Sequence, residues 1–197
     1  MGEIRDAVRQ RLRDGIVDAA RAQTIAGGWD GVRMGAVAAA AGVSRQTVYN
    51  EFGSKAGLAA ALAQREIDRF VAEVRTALET HGSDVYAAAY AAIERTLTEA
   101  AGNPLIKAIL TSARGGSDEL LPYLTTRSEL VLAAASGALL DWAGRHLPET
   151  EPDRMAFAAD SIVRLVVSHI VLPLDPVDRT AARLATLAAR LVADAHP

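Results

Sequence analysis

The segment Ala38-Ala39-Ala40-Ala41-Gly42-Val43-Ser44-Arg45-Gln46-Thr47-Val48-Tyr49-Asn50-Glu51-Phe52 constrains this chain more than any other. Consecutive alanines favour helix and leave room for a second helix to cross closely. Gly42 interrupts them at the point where a tight turn needs a residue able to take positive φ. Val43 can pin the corner, and Ser44 is a preferred N-cap for a second helix. Val48 and Phe52 are four apart, so they share the face of that helix that turns inward. The pattern is that of a helix-turn-helix. Its other face, Arg45, Gln46, Tyr49 and Asn50, is left to solvent.

The flanking sequence extends the helical reading. Ile4, Val8, Leu12, Ile16 and Ala19/Ala20 recur at helical spacing and predict an amphipathic first helix ending near Gly27-Gly28. A short helix over about 33–41 and another over 45–52 come next. A longer one from Ser54 to about Thr80 carries Leu58, Leu62, Phe70, Val74 and Leu78 on one stripe. Ser83 can cap the next. Asn103-Pro104 opens a short helix ending at Gly115-Gly116, and a long apolar one runs from Ser117 or Pro122 to His146. Helices over 153–172 and 176–195 close the chain, the second introduced by Asp175-Pro176-Val177-Asp178. The expectation is an all-α protein of about nine helices: a three-helix domain over 1–53 joined to a helical bundle over 54–197. Scarce aromatic and abundant alanine residues agree with the absence of a sheet.

Charge placement narrows the partner. The whole chain carries −3, yet residues 1–66 hold nine Lys/Arg against seven Asp/Glu, and the remainder 12 against 17. Phosphate affinity depends on local cations, so the N-terminal third is the only plausible polyanion face. Arg suits guanine edges and Gln or Asn suits adenine edges, while hydroxyls such as those of Ser44, Thr47 and Tyr49 suit phosphates. Lys55 sits at a helix start, where unpaired N–H groups already favour an anion. Arg33 is a further candidate phosphate contact. The competing reading of residues 33–52 is a packed helical corner with solvated charges.

Residues from about 8 to 62 resemble the DNA-binding domain of the TetR/AcrR family. The likeness rests on Ala40-Ala41-Gly42-Val43-Ser44, Thr47-Val48-Tyr49, Phe52-Gly53-Ser54-Lys55 and the subsequent Leu58. It implies that the helix holding Arg45 to Phe52 enters the major groove and that Thr47, Tyr49 and Lys55 touch the backbone. It further implies a homodimeric repressor that leaves a palindromic operator when a small molecule occupies the C-terminal half. Two positions depart from the family's habit. Glu51 stands where a basic residue or histidine is usual, so it must turn aside or pair with an arginine; Arg33 stands where threonine or serine is usual.

One helix-turn-helix reads few bases, and a dimer spanning two half-sites is the ordinary remedy. Met155, Ile162, Leu165, Val166 and Ile170, with Leu184, Leu187 and Leu191, give the last two helices more apolar surface than one bundle needs, and are the expected dimer seam. The resemblance implies the same seam, a four-helix bundle from two copies. Tyr86, Tyr90, Leu110, Tyr123, Trp142 and Phe157 either fill the core or line an effector cavity. Any such cavity has few charges, which favours a largely apolar or aromatic effector. His169 is either a ligand-sensing group or a hydrogen-bonded core or interface residue.

Other classes find little support. The four histidines are scattered, and no Gly-x-Ser-x-Gly, Gly-x-Gly-x-x-Gly or phosphate-cradling Gly-Lys-Ser/Thr run occurs. With no cysteine there is no disulfide, thiol nucleophile or thiolate metal site. The expectation is no enzyme, no metal and no cofactor. The longest nearly apolar run, Leu130 to Leu140, falls short of the roughly 20 residues that span a bilayer, so a soluble, cytoplasmic protein is expected. A helical scaffold, or a regulator without an effector, is the remaining alternative.

Overall fold

The computed structural model describes residues 2–103 and 128–193. Among them are eight α-helices and no strand: α1 (Gly2–Gly27), α2 (Met34–Ala40), α3 (Arg45–Phe52), α4 (Lys55–Glu79), α5 (Val85–Gly102), α6 (Ser128–His146), α7 (Pro152–Val171) and α8 (Val177–Ala193). The helix expected from Pro104, and the beginning of the long helix expected from Ser117 or Pro122, lie outside the described residues. No described helix is long and apolar enough to cross a membrane.

The described residues fall into two compact units, divided after Glu66. In the first, α2 packs on α1 and on α3. Its core joins Ile16 and Ala20 of α1, Val37 of α2, Val48 of α3 and Leu58 and Leu62 of α4, each nearly or wholly removed from water. The apolar stripe of α1 buries only from Ile16 onward; Ile4 and Val8 are 72% and 58% exposed. The first turns of α1 therefore project past the packed core, which periodicity alone does not reveal. Two glycines permit the corners. Gly42 has φ +68°, as the turn demands, and a Cβ on Gly57 would stand 1.9 Å from the Phe52 carbonyl oxygen. Only glycine lets α4 start so close beneath the end of α3.

In the second unit α8 packs chiefly on α5 and also on α7, and α6 lies against α7. Helix α5 is capped by Asp84, whose carboxylate accepts from Ala87 N at 2.9 Å, rather than by the neighbouring Ser83. Glu151 caps α7, with Pro152 in the first turn. Asp175 accepts from Arg183 at 2.7 Å, with Arg179 3.6 Å away. Helix α4 contributes to both units. Its first part is tied to α1 by Arg21–Glu66 at 2.8 Å and by Arg65, which donates to Asp18 and to the Asp14 carbonyl. Its last part is tied to α5 through Arg69–Glu99 and Arg95–Glu73, and to α6 through Glu79.

Candidate functional site

The helix-turn-helix closes as its sequence requires. The N–H groups of Gly42 and Val43 donate back to the Ala39 and Ala38 carbonyls, ending α2. Ser44 Oγ then accepts from Thr47 N at 3.0 Å and caps α3. Val48 is wholly buried and Phe52 nearly so, which fixes the rotation of α3. The opposite face consequently presents Ser44, Arg45, Gln46 and Asn50 exposed, with Thr47 and Tyr49 half-buried at its edges.

These side chains hold one another in local pairs. The Ser44 and Thr47 hydroxyls are 2.8 Å apart. Arg45 Nη2 lies 3.4 Å from the Tyr49 hydroxyl, its guanidinium 5.4 Å from the ring centre. Gln46 Nε2 donates to Asn50 Oδ1 at 2.8 Å. Arg33, just before α2, is exposed and donates to the Asp30 carbonyl. Lys55, the first residue of α4, places its ammonium 5.4 Å from the centre of the buried Trp29 ring.

Glu51 does pair with arginine, as one of its two expected dispositions had it. Arg9 Nε reaches both carboxylate oxygens at 3.0 Å, and Arg13 Nη1 donates to Oε2 at 3.0 Å and to the Glu51 carbonyl at 2.7 Å. The hydrogen bond from Arg9 chiefly, with Arg13 adding and burial opposing, holds the carboxyl below its ordinary value near 4.5.

A second feature lies within the second unit: a cavity of about 100 Å³. Its walls come from Phe70, Val74 and Leu78 of α4, from Val85, Ala92, Ile93 and Thr96 of α5, and from Leu139 and Trp142 of α6, with α7 and α8 completing it. The described lining is apolar apart from the Thr96 hydroxyl, which donates to the Ala92 carbonyl at 2.8 Å, and the Trp142 indole N–H. The Trp142 indole N–H is buried and has no partner among the described residues. One turn on, the His146 ring lies tilted 5.7 Å from that of Trp142 and sits 2.9 Å from a Glu79 oxygen, while Arg145 holds the other at 2.6 Å.

The residues read from sequence as a possible cavity lining separate. Trp142 lines it. Tyr86 is 43% exposed and stacks 6.3 Å from the half-buried Tyr90, and neither is on the described wall. Phe157 is 64% exposed. His169 borders a different hollow, with Asp175 and Thr180. Leu110 and Tyr123 lie outside the described residues. The wall residues on α4 and α5 were legible only as core.

The expected dimer seam divides as well. Met155, Ile162, Val166, Ile170 and Leu184 are buried within the single chain, and all of these but Leu184 line the cavity. Leu165 is exposed, and Leu187 and Leu191 are half-buried. Helix α7 carries apolar residues on two arcs. The inner arc holds Met155, Ile162 and Val166; Phe157 and Leu165 stand on the outer, continued beyond the helix by Leu172 and Leu174, 61% and 77% exposed.

Residues 16–62 match the model for bacterial regulatory proteins of the tetR family, and residues 84–190 match that for the bacterial tetracyclin repressor C-terminal domain. The chain is 34% identical over 183 residues to the HTH-type transcriptional regulator AlkX of Mycobacterium tuberculosis strain H37Rv, covering 92% of this chain and 85% of that one. Among solved structures it is similar to the TetR family repressor AlkX from Dietzia sp. strain DQ12-45-1b, implicated in biodegradation of n-alkanes. That match has 30% identity and a TM-score of 0.70, over 90% of this chain and 96% of that one. The SmeT–triclosan complex shares the fold, with 19% identity, a TM-score of 0.62 and 93% of each chain covered.

Proposed function

This chain belongs to the TetR family, DNA-binding transcriptional regulators and not enzymes, and from that premise we propose that it is a homodimeric cytoplasmic repressor released from a palindromic operator by a largely apolar effector. The observation that carries the reading is the exposed polar face of α3 opposite Val48 and Phe52. Arg45, Gln46 and Asn50 read base edges, while Ser44, Thr47 and Tyr49, with Arg33 and Lys55 beside them, hold phosphates. The local pairs Arg45–Tyr49 and Gln46–Asn50 are exposed, so exchanging them for DNA partners costs little.

The dimer forms through the outer arc of α7, Phe157 and Leu165, and Leu172 just beyond it, with Leu187 and Leu191 of α8. These are large apolar side chains that the single chain leaves partly in water.

The cavity receives the effector. Its described walls favour a hydrocarbon body, and an acceptor atom reaching Trp142 would relieve a buried unpaired donor. Kinship with a repressor implicated in n-alkane biodegradation points to the same chemistry. At about 100 Å³ the cavity is smaller than the roughly 300–1,000 Å³ of ordinary ligand sites, so a bound chain must displace the walls. Those walls include α4, and the Trp142–His146–Glu79 contacts reach its C-terminal end. A ligand preferring the displaced state a hundredfold supplies about 2.7 kcal/mol of coupling.

The test titrates straight-chain hydrocarbons and alcohols into the full-length protein bound to a duplex selected from a random pool. Release of the duplex, with a raised melting temperature of the free protein, is expected. Responses confined to charged metabolites would contradict the proposal.

A further inference from the structure

Glu51 is a carboxylate on the recognition helix, beside side chains suited to phosphate. Arg9 and Arg13 stand one turn apart on α1, so both reach it from one face. Its side chain is 13% exposed, and the Arg13 guanidinium also lies 4.6 Å from the centre of the Phe52 ring. Arg9 and Arg13 precede the 16–62 span that matches the family model. The turn that carries Arg9 buries little apolar surface of its own, since Val8 is 58% exposed, and packing sets in only from Ile16, beyond Arg13. Directed hydrogen bonds to Glu51 therefore supply much of what holds that turn to α3. Thr47, one turn back, borders the same shallow groove as Arg5, Arg9 and Glu51.

The clamp has two physical consequences. Helix α3 has only eight residues and cannot fix its own orientation, so ties near its C-terminal end limit how it rocks. The same carboxylate also engages two guanidinium groups that would otherwise bind any phosphate, whatever the sequence.

We propose that Glu51 is a positioning residue for operator reading: with Arg9 and Arg13 it pins α3 and withholds two cations from indiscriminate phosphate binding, setting sequence preference more than total affinity. The proposal rests on α3 being the recognition helix. The lowered carboxyl pKa keeps the clamp charged throughout the neutral range.

The test compares full-length wild type, E51Q, E51D, R9Q and R9Q/E51Q on two duplexes: one enriched from a random pool by the wild type, and one of mixed sequence and equal length. E51Q is expected to bind the mixed duplex several-fold more tightly, with a salt dependence steeper by about one to two phosphate contacts, and to lose about tenfold of its preference for the enriched duplex. R9Q/E51Q should lose part of the non-specific gain yet keep the loss of preference. E51D should restore part of the preference. Should E51Q unfold, E51D and R9Q carry the same comparison. Wild-type preference retained within about twofold by E51Q, or equal weakening on both duplexes, would overturn the clamp. No preference in the wild type itself would overturn the recognition reading as well.

Discussion

Up to Glu66 the chain is organised by directed pairs: a cap at Ser44, a carboxylate clamp at Glu51 and a buried ion pair between Arg21 and Glu66, whose side chain is 2% exposed. Beyond Ile67 the ion pairs lie toward the surface, and the interior holds a cavity of aliphatic and aromatic wall with an indole N–H that has no partner among the described residues. The contrast suits the two tasks proposed for them. Reading base edges demands side chains held in fixed orientation, because a hydrogen bond fails with small errors of angle. Accepting a hydrocarbon demands walls that can shift, because apolar contact has no direction and its loss is graded. Helix α4 answers to both, tied by ion pairs to α1 at one end and to α5 and α6 at the other.

The contrast can be tested from each side. Leu78→Ala removes a buried side chain, 1% exposed, from the cavity wall, and should cost about 2–5 kcal/mol in denaturant unfolding. If the units unfold separately, the loss appears only in the transition of the second. Ala159→Leu pushes bulk into the cavity, at about 1–3 kcal/mol of overpacking. It should leave operator binding intact while abolishing effector-driven release in a fluorescence titration; release at wild-type effector concentration would remove the cavity from the mechanism. Ser44→Ala deletes a cap, and helix stability should fall by about 1 kcal/mol with no change in the effector response.

The smallest effect expected is none. Glu51 titrates below its ordinary value near 4.5, so its ion pairs stabilise the folded state above that pH and are lost only as pH falls through the lower folded value. Sequence preference should thus stay flat from neutrality to near 4.5, as measured by competition between the two duplexes.

The first unit was the more legible because its determinants are local. Gly42 at φ +68°, the Ser44 cap and the burial of Val48 and Phe52 all arise from spacings of four residues or fewer. The partners of Glu51 were not assignable, since Arg9 and Arg13 lie 42 and 38 positions away and only the packing of α1 brings them there. In the second unit periodicity located the described helices but not their rotation. Helix α7 has apolar residues on opposite arcs, so Met155 and Phe157 are equally good members of a stripe until neighbours choose between them. Trp142 and Tyr86 are likewise both aromatic on a central helix, yet one is buried on the cavity wall and the other 43% exposed. The cap of α5 expected at Ser83 falls one residue later, on Asp84, whose carboxylate accepts from Ala87 N.

The most direct test of operator reading through α3 is an equilibrium titration of the selected duplex at physiological salt, comparing wild type with Arg45→Ala/Lys55→Ala. Loss of a base contact and a phosphate clamp should weaken binding by about 2–4 kcal/mol, roughly 30- to 1,000-fold, with oligomeric state and helicity unchanged. Binding within a few-fold of wild type would contradict the account, since neither Arg45 on α3 nor Lys55 at the start of α4 would then hold the DNA.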